Sequence, residues 1–375
     1  MGSLYIHIPF CHSKCGYCSF ASWPGLEQLH ARYVEAVQNE LTKLARQHGG
    51  QRLSTIFFGG GTPTVLSVRQ LEMLLDCCVR LFGVAPAAEV SLEANPGTVD
   101  GAQLAELRRA GFTRISMGVQ SFLEADLRAL GRCHSAGQAV TAFTDARAAG
   151  FENISLDLMY GLPEQTVASW RHNLDTVLSL GPEHISMYQL TIEEGTGFSE
   201  LHDQGALALP AEEQIIAMDE LNLELCSLAG YDWYEVSNYA RPGYRCLHNL
   251  NYWHNSEYLA AGAGAVSYLA GVRARRTEDP SDYITRIESG HSPLIESEKL
   301  GLDESFRETV IMGLRLSEGV EIKRLQAQYG MNPLAYYGNT LKKLLADGLM
   351  ECSETHLKIS AKGRLLSNAI MAELV

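Results

Sequence analysis

Three copies of one short template decide what this chain can become. Gly111-Phe-Thr-Arg-Ile-Ser, Gly150-Phe-Glu-Asn-Ile-Ser and Gly181-Pro-Glu-His-Ile-Ser stand 39 and 31 residues apart. Each sets a glycine, which accepts the left-handed conformation that ends a helix, just ahead of a β-branched run. A spacing of that size holds one helix, one strand and their loops. Repeated units of this kind give parallel strands joined by right-handed crossovers. Six runs fit as strands: Leu4–Ile8, Thr55–Phe58, Val90–Glu93, Arg114–Met117, Ile154–Leu158 and His184–Leu190. Asp100, Ser135 and Thr166 stand as N-caps before three of the intervening helices, and Trp170, Leu174, Val177 and Leu178 make one apolar stripe on the last. Six strands are too few for a closed eight-stranded barrel, so residues 1–190 read as an α/β partial (β/α)6, TIM-like barrel. In such a sheet the chemistry belongs at the C-terminal strand ends, which singles out Glu93, Gln120 and Asp157.

The pattern changes after Leu190. Residues 191–295 read as a segment that completes the barrel, with a loop over Thr191–Ala208, a long helix from Pro210 to about Leu228 and an aromatic, glycine-rich stretch over Tyr231–Tyr268. Residues 296–375 read as three helices, a hairpin of Met350–Cys352 and His356–Ile359, and a last helix, a winged-helix-like order. A module that reads DNA shows a basic face, yet Ile295–Val375 holds ten Lys/Arg against eleven Asp/Glu. Packing or partner docking is the better use for it. The whole chain, with 30 Lys/Arg and 44 Asp/Glu, has a formal charge of −14, which disfavours nucleic acid and anionic lipid as general partners. No apolar run reaches the roughly 18–20 residues of a spanning helix, and the start shows neither a basic n-region nor an Arg-rich leader. The expectation is a soluble, cytoplasmic protein.

Nine cysteines in a leaderless chain do not suggest a disulfide framework. Cys77, Cys78, Cys133, Cys226, Cys246 and Cys352 read as small core residues. The other three form Cys11-His-Ser-Lys-Cys15-Gly-Tyr-Cys18, on the loop at the end of the first strand. Structural zinc asks for four ligands, and a ferredoxin-type cluster asks for a fourth cysteine. Three thiolates on one tight loop suit three irons of a 4Fe–4S cube, leaving the fourth iron open to an exogenous ligand. Phe57-Phe-Gly-Gly-Gly-Thr-Pro-Thr follows the second strand, where glycines permit close approach and can turn N–H groups toward a carboxylate.

The cysteine run, with Tyr17 just before its last member, resembles the signature of the radical S-adenosylmethionine (SAM) superfamily. That resemblance implies a partial (β/α)6 radical-SAM barrel, a 4Fe–4S cluster on Cys11, Cys15 and Cys18, and SAM chelating the open iron. In that superfamily, reductive cleavage of the sulfonium yields a 5′-deoxyadenosyl radical. Gly60, Gly61 and Thr62 match the SAM-contacting segment. Tyr5-Ile-His-Ile-Pro-Phe-Cys, Ser91-Leu-Glu-Ala-Asn-Pro, Ser116-Met-Gly-Val-Gln-Ser and Asp157-Leu-Met-Tyr-Gly-Leu-Pro are similar to the oxygen-independent coproporphyrinogen III oxidase family. Its SAM-contacting positions fall on Tyr5, Tyr17, Glu93, Gln120, Arg132 and Asp157.

Two features separate the oxidases from a related branch. The oxidases carry a further cysteine two residues after the triad, where this chain has Phe20, and an extension ahead of the first strand, where this chain begins three residues before it. Cys246-Leu-His-Asn-Leu-Asn-Tyr-Trp contains H-N-x-x-Y-W, which resembles the mark of HemW-type heme chaperones and implies His248 as a heme contact. Imidazole is a good axial ligand and aromatic rings pack on a porphyrin face, although a histidine in that setting is as readily a hydrogen-bonded core residue. The resemblance implies a protein that binds heme and passes it to respiratory hemoproteins, as a homodimer in peripheral contact with the membrane. The alternatives are oxidative decarboxylation of coproporphyrinogen III and radical-SAM catalysis on another substrate.

Overall fold

The computed structural model describes residues 2–50 and 52–375. Its main sheet has nine strands: β1 (Gly2–Ile8), β2 (Leu53–Gly60), β3 (Val84–Ala94), β4 (Arg114–Gln120), β5 (Ile154–Tyr160), β6 (His184–Gln189), β7 (Asp232–Glu235), β8 (Asn238–Ala240) and β9 (Leu259–Ala261), in the order β9-β1-β2-β3-β4-β5-β6-β8-β7. The strands from β9 through β6 run parallel, and β8 and β7 add antiparallel at the far edge. The first six are the strands expected from the repeat, and α1 (His30–His48), α2 (Val68–Phe82), α3 (Gly101–Ala110), α4 (Ala136–Ala148) and α5 (Val167–Leu180) lie in the crossovers. Asp100, Ser135 and Thr166 each accept the N–H three residues on, and the N3 side chain bonds back in a full capping box. Gly111 and Gly181 end their helices at φ 112° and 68°.

Strand alternation sorts the side chains into two layers. Ile56 and Phe58, Val90 and Leu92, Ile115 and Met117, Leu156 and Leu158 are all buried in one continuous apolar core with the helices. Their alternates, Thr55 and Phe57, Glu89 and Glu93, Arg114 and Ser116, Ser155 and Asp157, turn the other way, into hydrogen bonds and a cavity inside the barrel. Closed TIM barrels fill that interior with Val, Ile and Leu. Here it is polar.

A short helix, α6 (Leu247–Trp253), closes the barrel at the end where the strands begin. Its first N–H groups, those of Leu247 and His248, donate to the Glu89 carboxylate at 2.9 and 3.1 Å, a negative charge at a helix N-terminus. The β9 strand then lies beside β1, and the chain leaving it is held by Glu40 of α1. That carboxylate accepts from the Gly262 N–H at 3.0 Å and the Tyr283 hydroxyl at 2.6 Å, and pairs with Arg276 at 2.6 Å, both ions being buried.

The loop expected over Thr191–Ala208 contains a helix at Gly197–Asp203. A three-stranded sheet of Val266–Leu269, Val272–Arg276 and Leu294–Lys299 follows the barrel. A boundary between residues 295 and 296 cuts through its last strand, because Val272–Arg276 pairs with it across that point; the C-terminal helices start at Leu302. Three helices, Leu302–Gly313, Ile322–Tyr329 and Pro333–Ala346, pack with a three-stranded antiparallel sheet around a separate core that includes Phe306, Leu325 and Leu357.

Candidate functional site

Beyond β1 the chain turns at Pro9 and enters the cysteine loop. Cys11, Cys15 and Cys18 are free and half-buried. A turn is closed by the Cys18 N–H on the Cys15 carbonyl at 3.2 Å. Cys11 Sγ lies 3.6 Å from Oγ1 of Thr62, and Nη1 of Arg132 donates to Cys15 Sγ at 3.4 Å. Burial pushes the Cys11 thiol up in pKa, against the pull of Thr62 and Ser22. The Gly197–Asp203 helix leans on the loop through the Phe198 N–H to the Gly16 carbonyl at 2.9 Å, and Tyr17 meets the Phe198 ring edge-on. Among the described residues no three His, Cys, Asp or Glu side chains converge on one ion position. A cubane does not ask them to, since each thiolate takes its own iron.

The glycine segment enters differently from expectation. The Gly60 N–H donates to Glu93 Oε2 at 3.2 Å, that of Gly61 to the Ile8 carbonyl at 2.8 Å and that of Thr62 to the Phe10 carbonyl at 2.7 Å. These N–H groups are committed to the protein, which corrects the idea that they face a ligand carboxylate. Glycine is required here by crowding: a Cβ on Gly60, at φ +116°, would stand 2.5 Å from the His7 ring.

Inside the barrel, a cavity of about 280 Å³ is lined by Tyr5, Glu93, Arg114, Asp157, Tyr188 and Tyr252, among others. Asp157 sits mid-strand in β5, not at a strand end, and accepts from Ser116 at 3.0 and 3.1 Å and from Ser155 at 3.1 Å. Burial raises its pKa in spite of these donors. Burial, then the neighbouring Asp157, pushes the Glu93 carboxyl up to about 7. The Tyr5 hydroxyl donates to His7, whose other ring nitrogen donates to the Ala21 carbonyl.

Gln120, the last residue of β4, holds φ 67°, a left-handed conformation that strains a non-glycine residue and is concentrated at functional sites. Its Oε1 is buried without a partner, as are Nε of Arg132 and Nε of Arg114. Buried polar atoms are ordinarily satisfied, so these three mark where a polar ligand can complete the site. Arg132 is otherwise anchored on the Gly118 carbonyl at 2.6 Å. The cysteine loop, Tyr17, Thr62, Gln120 and Arg132 thus gather at one end of the barrel, with Tyr5, Glu93 and Asp157 leading into it.

His248 is not among them. It is fully buried, its Nδ1 is bonded to Thr55 Oγ1 at 2.8 Å and its Nε2 to the Tyr252 hydroxyl at 2.9 Å. The ring stacks on Phe57 at 5.2 Å, and burial, then the nearby Arg114 charge, lowers its pKa to about 3. With both nitrogens engaged and no exposure, the imidazole cannot reach a heme iron in this conformation. The expectation of an axial ligand there is corrected: its neighbours supply every bond it can make. Cys133 is a further correction. It is exposed, not core, and its Sγ lies 3.0 Å from Ser13 Oγ on the cysteine loop. Arg114, Ser116, Tyr188 and Tyr252 were missed as cavity residues. The signal for the first two was their even spacing with Gly118 and Gln120 along one strand face.

Residues 5–177 match the family model of the radical SAM superfamily and residues 300–366 that of the HemN C-terminal domain. The fold is similar to that of coproporphyrinogen III oxidase (HemN) from Escherichia coli, a radical SAM enzyme, with a TM-score of 0.87 and 26% identity over 99% of this chain and 89% of that one. Fold and family model together define a radical SAM protein. Heme chaperone HemW of Bacillus subtilis is 38% identical over 99% of this chain and 98% of its own length. HemW of Escherichia coli is 40% identical over 75% of each chain, and mouse mitochondrial radical S-adenosyl methionine domain-containing protein 1 is 32% identical over 100% and 87%. The chain belongs to the HemW family. Among the described residues no helix is long and apolar enough to cross a membrane.

Proposed function

We propose that the chain is a heme chaperone on a radical-SAM scaffold, binding heme and passing it to respiratory hemoproteins. The observation that carries the reading is the 38% identity to a heme chaperone over essentially both full chains. Phe20, largely exposed, stands where the oxidases carry their extra cysteine.

In this reading Cys11, Cys15 and Cys18 would hold a 4Fe–4S cluster, with a position on it left for SAM. The cluster supplies one-electron chemistry to bound SAM. The chain's own residues position that molecule: Tyr17 and Arg132 beside the loop, Gly60, Gly61 and Thr62 at its floor, Gln120 through its unpartnered Oε1. Tyr5, Glu93 and Asp157 extend the contact inward. Arg132 balances thiolate charge at Cys15 while its free Nε remains available to a carboxylate.

The test is an anaerobic assay of reconstituted protein with SAM and an electron donor, run on coproporphyrinogen III and in parallel as hemin transfer to an apo-hemoprotein. Hemin transfer without porphyrinogen turnover is the expected result. Sustained decarboxylation would replace the chaperone reading with an oxidase, the activity named for the structural relative.

A further inference from the structure

We propose that the heme site is the cleft between the strand-start end of the barrel and the C-terminal domain, with His48 as the imidazole offered to the iron. The proposal rests on the chaperone reading above and names the place where its cargo sits.

Size argues first. The cavity inside the barrel measures about 280 Å³, below the roughly 300–1,000 Å³ of ordinary ligand pockets. The cleft measures about 1,020 Å³. It lies at the far end of the strands from the cysteine loop, so a macrocycle in it does not compete with the proposed SAM site.

The lining suits an amphipathic, dianionic, planar molecule. Leu269, Leu300 and Leu302 supply aliphatic wall, and Tyr258, Tyr268 and Tyr329 supply aromatic faces. Tyr258 and Tyr268 form an antiparallel bridge through both backbone hydrogen bonds, at 2.8 and 3.1 Å, which fixes the two residues opposite each other. Arg324 and Lys299 on the rim provide two cations for two propionates. Arg324 is held in place by the His254 carbonyl at 2.6 Å. His48, the last residue of α1, is the one histidine among the described lining residues, is exposed and, among the described residues, makes no side-chain hydrogen bond.

This placement also gives the H-N-x-x-Y-W segment a role that a buried His248 can fill. Asn251 of that segment lines the cleft, while Asn249 and Tyr252 line the inner cavity. The segment is therefore the wall between the two. His248 fixes Tyr252 by its hydroxyl, and the Tyr252 ring packs edge-on at 4.7 Å against Tyr258, which faces the cleft. His248 is a positioning residue for the cleft wall.

The experiment is a hemin titration of the full-length, cluster-reconstituted protein, followed in the Soret region, with metal-free protoporphyrin IX titrated alongside by fluorescence. Leu302→Glu places a charge on an exposed lip residue, so folding is expected to persist and circular dichroism checks it. That variant should weaken both ligands at least tenfold. His48→Ala should shift the Soret band of bound hemin and leave protoporphyrin affinity unchanged. If wild-type protein binds hemin but Leu302→Glu and Lys299→Glu bind it equally well, the cleft assignment is overturned while the chaperone reading survives. If wild-type protein binds no hemin, both fall. An unchanged Soret band in His48→Ala overturns the ligand assignment.

Discussion

Nη1 of Arg132 lies 3.4 Å from Sγ of Cys15, across 117 positions of sequence. The contact ties the loop after β1 to the loop after β4, and under the proposed reading it would set a guanidinium against the negative charge of a cluster held by the three cysteines. Cys15→Ala should abolish the broad iron–sulfur absorbance and most of the bound iron. Arg132→Leu should assemble the cluster but lose it several times faster in air, with Arg132→Lys intermediate. Bleaching rates equal to wild type would remove Arg132 from the cluster environment.

A second prediction concerns His248. Removing a buried imidazole leaves Thr55 and Tyr252 without their shared partner, at a cost of roughly 2–3 kcal/mol. His248→Ala should lower the urea midpoint and loosen hemin binding, yet leave the Soret maximum of bound hemin where it is in the wild type. A changed Soret maximum would restore this residue as an iron ligand.

Glu93 makes the stability of the ligand-free protein depend on pH. Its carboxyl titrates near 7 in the folded chain, against 4.5 for an unperturbed one. Between those values the folded state holds the proton more tightly than the unfolded state, so this group's contribution is complete below about 4.5 and is lost as pH rises through 7. Glu93→Gln should match the wild type near pH 4.5 and be the more stable of the two at pH 8. Denaturation midpoints across that range decide it, and parallel curves would show that Glu93 does not titrate there.

The buried Glu40–Arg276 pair should be the most sensitive point of the scaffold. Glu40→Ala strands an uncompensated guanidinium and removes the acceptor for Gly262 and Tyr283, a loss of about 3–5 kcal/mol. Replacing both ions together, as Glu40→Leu with Arg276→Met, should cost markedly less than the single change. A thermal melt of the two variants makes the comparison, and equal losses would show that the pair is not coupled.

What could be read from the sequence follows the range of the forces involved. The capping boxes at Asp100, Ser135 and Thr166 and the glycine stops are local chemistry, so six strands and their helices were visible in the chain. The cysteine loop was visible because its spacing is short. Leu259–Ala261 was not, because three small apolar residues carry no strand signal of their own; they become a strand by pairing Leu4 with Leu259 and Ile6 with Ala261. His248 shows the same limit. Its motif stood out, but Thr55 lies 193 positions away, and nothing local indicates that both ring nitrogens are already taken. Cys133 is brought beside Ser13 over 120 positions, again by the fold alone.

The late arrival of β9 has a consequence for biosynthesis. Until residue 261 has left the ribosome, β1 presents a row of open backbone groups along one side, although the other five strands of the repeat are already made. An uncovered edge of that kind invites pairing with foreign chains. A nascent polypeptide halted anywhere between the sixth strand and the ninth should therefore be a client for holdases and prone to clumping, and release from that state should coincide with the synthesis of Leu259–Ala261.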